Sequence, residues 1–506
     1  MAKPAEKLAE SLEALHEVQK RRGAAIRSRD LSRTHRERLV SKGFLKEVMK
    51  GWYVHSRPDE DAGESTTWYA SYWDFCAAYL NDRLGTKWSL SPEQSLLLHA
   101  ENRAVPQQLL VRTPKGGNKP VALPHGTSLF EVRAALPESK QTIEKNGLRL
   151  FSVPAALVAA GPGIFRQYPT DIRVVLSMVQ DASQVLAILL EGGHSVIAGR
   201  LAGAFRNTGN KKIADEIIKT MQAADYKINE EDPFDAPAPF TISSRERSPY
   251  VNRIRLMWRA MREDISGRFP APKGNPDNID KYLAHVDEMY VTDAYHSLSI
   301  EGYRVTPELI ERVRSGDWDP DNFEEDWERR NALAARGYWQ AFNVVKKSVA
   351  KVLKGENAGS VVASDYSDWY RELFAPSVTA GILKPSDLAG YRNDQVFIRR
   401  SMHVPPHYEA VRDCMPAFFD LLREETDTAV RVVLGHFVLV YIHPYMDGNG
   451  RMARFLMNVM LASGGYTWTV TPVEQRRTYM AALEEASTKQ NIIPFSEFLA
   501  GLVSIG

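Results

Sequence analysis

The stretch RVVLGHFVLVYI, residues 431–442, runs directly into HPYMDGNGRMARFLMNVMLA, residues 443–462. The first half is apolar on all sides and helical in period, which marks a buried helix. RMARFLMNVMLA starts a second helix. Between them HPYMDGNG is a polar loop carrying a histidine, an aspartate, an asparagine and two glycines. Any fold of this chain must accommodate buried helix, polar loop and new helix in that order.

The loop has a chemistry of its own. Pro444 cannot donate a backbone hydrogen bond and stiffens the exit from the helix. Gly448 and Gly450 permit tight backbone turns and close approach of a ligand. A glycine-rich loop feeding a helix N-terminus offers free N–H groups at a positive dipole end, which is an anion site. Arg451 and Arg454 add two guanidinium forks, three residues apart on one helical face. Together they suit a polyphosphate better than a single carboxylate. Asp447 in so positive a setting fits a Mg²⁺ ligand, because the ion bridges carboxylate and phosphate oxygens. His443, as a neutral imidazole, can take the proton of a hydroxyl attacking phosphorus. The residues alone imply a nucleotidyl or phosphoryl transferase. Neither a Walker G-x-x-x-x-G-K-[ST] loop nor the kinase G-x-G-x-x-G and H-R-D pair is present.

The 506 residues exceed one ordinary core and predict a multidomain chain. A net charge of +1 gives no overall pull on a partner, so only local charge is informative. Residues 21–50 hold ten Lys or Arg against three acids, a net of +7. Helical spacing of Leu8, Leu12, Leu15 and Val18 predicts a helix over 5–20, a short helix capped by Ser28 or Asp30 follows, then a helix over 32–41 and a hairpin in FLKEVMKGWYV. That order is the order of a winged helix. Its basic face predicts DNA contact through residues 21–54, with Arg33, Arg36 and Arg38 foremost. Residues 1–60 are thus read as a winged-helix domain and 61–226 as a mixed α/β region. Residues 227–250, rich in Pro, acids and small polar residues, read as a linker, and 251–506 as a largely helical domain. In that last domain GYRNDQVFIRRSMHVPP, residues 390–406, predicts a short hairpin. Two distant cysteines, Cys76 and Cys414, no apolar leader and no run of about 18 apolar residues predict a cytoplasmic chain with no membrane span.

HPYMDGNGRMAR resembles the Fic motif HxFx(D/E)GNGRxxR, with Tyr445 where Phe is usual. The likeness extends from about 270 to 500. It implies an all-α Fic fold with a short β-hairpin flap, and transfer of AMP from ATP to a Ser, Thr or Tyr hydroxyl of a target protein. His443 is then the base and Asp447 the Mg²⁺ ligand. Gly448, Asn449 and Gly450 form the phosphate nest, and Arg451 and Arg454 hold the distal phosphates. GYRNDQVFIRR resembles the entry to the target-docking flap, at Val396, Phe397 and Ile398. SLSIEG, residues 297–302, puts Ser297 and Glu301 on one helix face. It resembles the inhibitory motif [S/T]xxxE[G/N], on a helix near 280–302, whose glutamate pairs with Arg454. The resemblance leaves self-modification, homodimer formation, removal of AMP and use of another nucleotide open. DLSRTHRERLVSKGFLKEVMKGWYV, a helical stretch and then SLSPEQSLLLHAENRAVPQQLLVRTP resemble in their order the AbiEi-type antitoxin and transcription-regulator architecture over roughly the first 225 residues, which implies a DNA-binding regulator. A rival reading follows: a DNA-binding protein whose Fic domain only senses nucleotide or removes AMP.

Overall fold

The computed structural model describes residues 4–58, 64–238, 248–274, 276–317 and 326–505. The chain forms two compact units: Met1–Arg253 with Phe397–Val404, and Ile254–Val396 with Pro405–Gly506.

The first unit is mixed α/β. After the helix Pro4–Arg22 come β1 (Ala25–Arg27), the helix Arg33–Ser41, β2 (Leu45–Met49) and β3 (Trp52–His55). The three strands make an antiparallel sheet in the order β1-β3-β2. Ser32 caps the second helix by accepting from the His35 N–H. Leu15, Val18, Ile26, Leu39 and Leu45 close the small core between helices and sheet. Residues 28–31, expected as a short helix, form a turn instead. The Asp30 carboxylate accepts from the Arg27 N–H and the Asp30 N–H donates to the Arg27 carbonyl, so the side chain competes with a helix for the backbone.

The helix Thr66–Leu84 follows, then β4 (Ser89–Leu90), β5 (Gln108–Thr113), β6 (Pro120–Ala122) and β7 (Ser128–Arg133) in the sheet order β4-β5-β7-β6. β5 and β7 are parallel, and β8 (Thr142–Lys145) pairs with β9 (Leu148–Phe151) as a hairpin. Trp68, Tyr72, Phe75 and Tyr79 line one face of the helix at helical spacing and pack edge-on or stacked with one another and with Trp52. Helices fill the unit from Val153 to Ala223.

The expected linker does not hang free over its described part. Arg206 grips Glu230, Asn207 donates to Asp232, and Arg173 donates to the Ala236 carbonyl. Gly199 and Gly203, one turn apart on the helix Ser195–Asn207, let the strand of chain at 229–232 lie on the helix. A Cβ on either would strike the Asn229 or Glu231 carbonyl. Residues 239–247 of the expected linker lie outside the described residues. The division between the units falls after Arg253, inside the helix Pro249–Ile265.

The second unit is helical. Its centre is the helix Asn449–Ala462, whose residues Arg451–Ala462 are all buried. Around it pack Thr428–Ile442, Asp326–Leu353, Ala358–Thr379 and Ile279–Ile300. The apolar run that opened the sequence is buried over its whole length from Thr428 to Ile442 except at Arg431. Residues 390–406, expected as a β-hairpin flap, contain no strand. The Ser401 N–H donates to the Ile398 carbonyl and closes a turn. The flanks form no ladder: the Gln395 side-chain amide, not a backbone N–H, takes the Pro405 carbonyl, and Pro405 and Pro406 have no N–H to offer. Among the described residues no single helix is long and apolar enough to cross a membrane.

Candidate active site

The helix Thr428–Ile442 stops at His443, which turns into the left-handed region with φ 53°. Its N–H still reaches the Leu439 carbonyl, at 3.0 Å. The half-buried imidazole sits with Nδ1 3.1 Å from the Val440 carbonyl. A carbonyl only accepts, so Nδ1 carries the hydrogen and Nε2 keeps its lone pair. Burial pushes the imidazole down to about 4, the bond to Val440 opposing it and Arg392 assisting. At neutral pH His443 is a neutral ring with a free lone pair at Nε2.

The loop beyond is locked by one side chain. Asn449, 2% exposed, accepts from the Tyr445 N–H at 2.9 Å and donates to the Tyr445 carbonyl at 2.8 Å. Tyr445 stacks on Tyr370 with ring centres 3.6 Å apart. The ring contact expected of the usual Phe is kept. Gly448 takes φ 85° at the helix start, and a Cβ there would meet the Phe374 ring at 2.7 Å. Gly450 follows in the first turn of the helix, where N–H groups have no intrahelical partner. A Cβ on Gly450 would strike the Glu301 carboxylate. The glutamate therefore lies over the anion site that the sequence predicts.

Both arginines are buried. Arg451, 1% exposed, donates to Asp447 at 3.1 Å and lies 5.3 Å from the Tyr303 ring and 5.0 Å from the Phe374 ring. Arg454, 2% exposed, donates from Nε to Ser297 Oγ at 2.8 Å, and from Nη2 to the Ser297 carbonyl at 3.1 Å and Glu301 Oε1 at 2.6 Å. Ser297 and Glu301 do meet Arg454, from 157 and 153 residues away. The pair is not bidentate: one Glu301 oxygen is used, Ser297 takes Nε and shares Nη2 with Glu301, and Nη1 makes no hydrogen bond among the described residues. Burial lowers the affinity of Arg454 for its proton, and Glu301 more than restores it. Beneath the pair, Asp293 accepts from the Tyr338 hydroxyl at 2.7 Å, and burial raises its carboxyl to about 6.

Asp447 is the exposed acid of the loop, its side chain 58% accessible. It lines a cleft of about 340 Å³ with Glu301, Tyr303, Arg304, Arg330 and Asn331. Mg²⁺ characteristically takes one or two protein carboxylates and completes its shell with phosphate and water. A single accessible carboxylate beside a phosphate-type nest fits that habit. No cluster of three or more His, Cys, Asp or Glu side chains suited to a metal occurs among the described residues.

Three features escaped the sequence reading. Arg392, 2% exposed, donates from Nε to the His443 carbonyl at 2.8 Å and from Nη2 to the Pro406 carbonyl at 2.5 Å, while its N–H donates to the Pro444 carbonyl at 2.9 Å. Tyr303 lies against both Arg451 and Arg330. Arg304 and Arg330 bring two more cations to the cleft. A buried arginine has no local sequence signal, and Arg392 stood unremarked inside GYRNDQVFIRR. Of the expected flap residues, Val396 belongs to the second unit and Phe397 and Ile398 to the first. Of the expected DNA contacts, Arg33 is exposed and paired with Glu37. Arg36 donates to the Ser28 carbonyl, and Arg38 to the Lys7 carbonyl and Ser11 Oγ. His296 and His436 are structural. His296 accepts from the Val473 N–H, and His436 shares a hydrogen bond with the Tyr479 hydroxyl.

Residues 363–461, which include the whole loop and both arginines, match the Fic/DOC family. Over 219 residues the chain is 30% identical to the protein adenylyltransferase Fic of Nematostella vectensis, covering 42% of this chain and 47% of that protein. This part of the chain is similar to the Fic adenylyltransferases. The Fic enzyme of Drosophila willistoni matches at 30% over 217 residues, 42% of this chain and 40% of its own. The chain thus spans under half the length of the Fic relatives it matches. Fic-1 (aa134 - 508) from C. elegans aligns at 20% identity over 61% of this chain and 95% of that one, with a TM-score of 0.38.

Proposed function

We propose that this chain is a protein adenylyltransferase held in a resting state by Glu301. The observation that carries the reading is His443: its Nδ1–H is committed to Val440, which leaves the Nε2 lone pair to act as a base, six residues before a helix N-terminus that carries two buried arginines. In the reaction, Nε2 takes the proton of a Ser, Thr or Tyr hydroxyl on a target protein. The hydroxyl oxygen bonds to the α-phosphorus of ATP, the bond from that phosphorus to the β-phosphate bridge breaks, and pyrophosphate leaves. The N–H groups of Gly448, Asn449 and Gly450 cradle the phosphates, and Arg451 and Arg454 neutralise the distal ones. Asp447 would hold Mg²⁺, which when bound neutralises phosphate charge. Glu301 lies over Gly450 and on Arg454, so a distal phosphate and Glu301 compete for one place.

The first unit suggests a second function. A helix, a strand, a helix and a hairpin, with an antiparallel sheet in the order β1-β3-β2, support the winged-helix reading of residues 1–60. With the basic stretch 21–50 they support a DNA-binding regulator of the antitoxin type. Lys42, Lys46 and Lys50 are exposed on and beside the hairpin and are better placed for phosphates than Arg36 or Arg38, whose guanidiniums bond to their own chain. Two buried free thiols accord with a cytoplasmic site.

The deciding experiment incubates Glu301→Gly protein with α-labelled ATP, Mg²⁺ and a cell lysate, followed by mass spectrometry. AMP on protein hydroxyls supports the transferase. Tight ATP binding with no label on any protein, the chain itself included, favours the nucleotide-sensing reading.

A further inference from the structure

The tip of the candidate flap is built into the first unit. Residues 397–404 are part of that unit, although Val396 and Pro405 on either side belong to the second. Val404, 6% exposed, is a member of the aromatic core formed around Trp68, Tyr72 and Phe75, and Phe397 and Met402 pack against the same core. The backbone is bonded as well. The Val105 N–H donates to the Met402 carbonyl at 2.9 Å, and the Arg400 N–H donates to Thr66 Oγ1 at 3.0 Å. Arg400 itself stands at φ 61°, a left-handed conformation that a non-glycine residue keeps only where its surroundings impose it.

Charge completes the attachment. The Glu64 side chain, 4% exposed, receives Arg399 Nε at 2.9 Å, Arg400 Nε at 3.3 Å and the Thr66 hydroxyl at 2.5 Å. Burial alone would raise the Glu64 carboxyl, but these donors outweigh it and hold it at about 2. The two arginine side chains are more than half exposed, so the anchor is the buried acid and not the arginines.

We propose that the first unit captures residues 397–404 as an internal occupant of the flap, so that a target protein engages the flap only after this segment is released. The role of the flap rests on the transferase reading above; the capture itself does not. The physical basis is competition. Phe397 and Met402 cannot pack on a target while they pack on the first unit's core, and a backbone carbonyl bonded to Val105 is not offered to an incoming strand. Release would be a second brake, separate from Glu301, and one that a ligand of the first unit could lift.

The test uses full-length protein with Glu64→Gln and with Glu64→Gln/Thr66→Val, each alone and combined with Glu301→Gly. Amide hydrogen exchange is followed in peptides spanning 397–404 and 104–106. Loss of charge-assisted bonds to a buried acid predicts exchange faster by about tenfold or more in both peptides. AMP transfer from α-labelled ATP to lysate proteins should rise severalfold over Glu301→Gly alone. Circular dichroism and the exchange of peptides within 428–462 show whether a variant is folded, and Arg399→Ala/Arg400→Ala, altered only at exposed side chains, is the second route to release. Unchanged exchange in all variants overturns the capture. Faster exchange with unchanged transfer overturns the brake. If Glu301→Gly transfers no AMP at all, the transferase reading fails, and the exchange result still decides the capture.

Discussion

His443 and Arg392 illustrate how a reactive group is made at the scale of one residue. A histidine at the end of an apolar helix becomes a base because its Nδ1–H is spent on Val440 and burial disfavours its charged form. His443→Ala should slow AMP transfer by about 10² to 10⁴ with little change in ATP affinity. Transfer at wild-type speed would remove the histidine from the chemistry. The same burial sets a pH profile. With a pKa of about 4 the ring is already neutral at pH 6, so transfer should stay flat from about pH 8 to 6 and fall as the pH drops through about 4. Stability follows the same proton. Between about 6.5 and about 4 the unfolded chain binds a proton that folded His443 refuses, so the second unit loses stability as the pH falls across that window. Arg392 acts on the histidine through its backbone carbonyl. Arg392→Lys keeps the charge but loses the fork that joins His443 to Pro406. A drop in kcat of about 10²-fold, with KM for ATP nearly unchanged, is expected from misplacing a base. Equal losses in both would mean a general structural role.

At the scale of the element, the helix Ile279–Ile300 and the helix Asn449–Ala462 work as a pair. Ser297 and Glu301 stand one turn apart, and both reach Arg454. Glu301→Gly should raise transfer, self-modification included, by at least about tenfold, the effect of removing a competitor worth 1.4 kcal/mol. Arg454→Ala should not reproduce that gain, because the brake and the phosphates share the same guanidinium. The double variant should match Arg454→Ala. Wild type and Glu301→Gly transferring at one rate under saturating ATP would leave SLSIEG as an ordinary helix end. The loop between the helices Thr428–Ile442 and Asn449–Ala462 depends on Gly448. Gly448→Ala meets a left-handed backbone and the Phe374 ring, so a loss of at least about 1–2 kcal/mol is expected in denaturant titrations of the protein.

For the whole molecule, the two units carry different chemistry. The second binds polyphosphate in the proposed reaction; the first presents a local charge of +7 over residues 21–50. If that charge meets DNA, affinity should fall steeply with salt, by a log–log slope of about 0.9 per phosphate contact. Replacing Lys42, Lys46 and Lys50 by Ala should then flatten the slope by up to about three such contacts. Arg36→Ala and Arg38→Ala should instead lower the stability of the first unit, because their bonds are to Ser28, Lys7 and Ser11. Absence of any shift in low-salt gels, with duplex from the chain's own promoter region, would make this face a protein-docking surface.

The loop at 443–454 was legible in the sequence because its chemistry is contiguous. A histidine, an acid, two glycines and two arginines at fixed spacing on a loop–helix junction leave few other roles, and the resemblance to the Fic motif adds to that. Helical period located the helices Pro4–Arg22 and Arg33–Ser41 and the two that flank the loop, and SLSIEG pointed to Glu301 through its resemblance to the inhibitory motif. What the sequence could not state was which distant groups meet. Arg392 looks like any surface arginine until its contacts to backbone carbonyls are seen, and Tyr303 gains meaning only from the two guanidiniums beside it. Residues 390–406 have the composition of a hairpin, yet their partners are Val105, Thr66 and Glu64, about three hundred residues earlier. Local propensity sets what a segment can form, while long-range burial and hydrogen-bond satisfaction decide what it does form, and only the tertiary structure carries that second set of contacts.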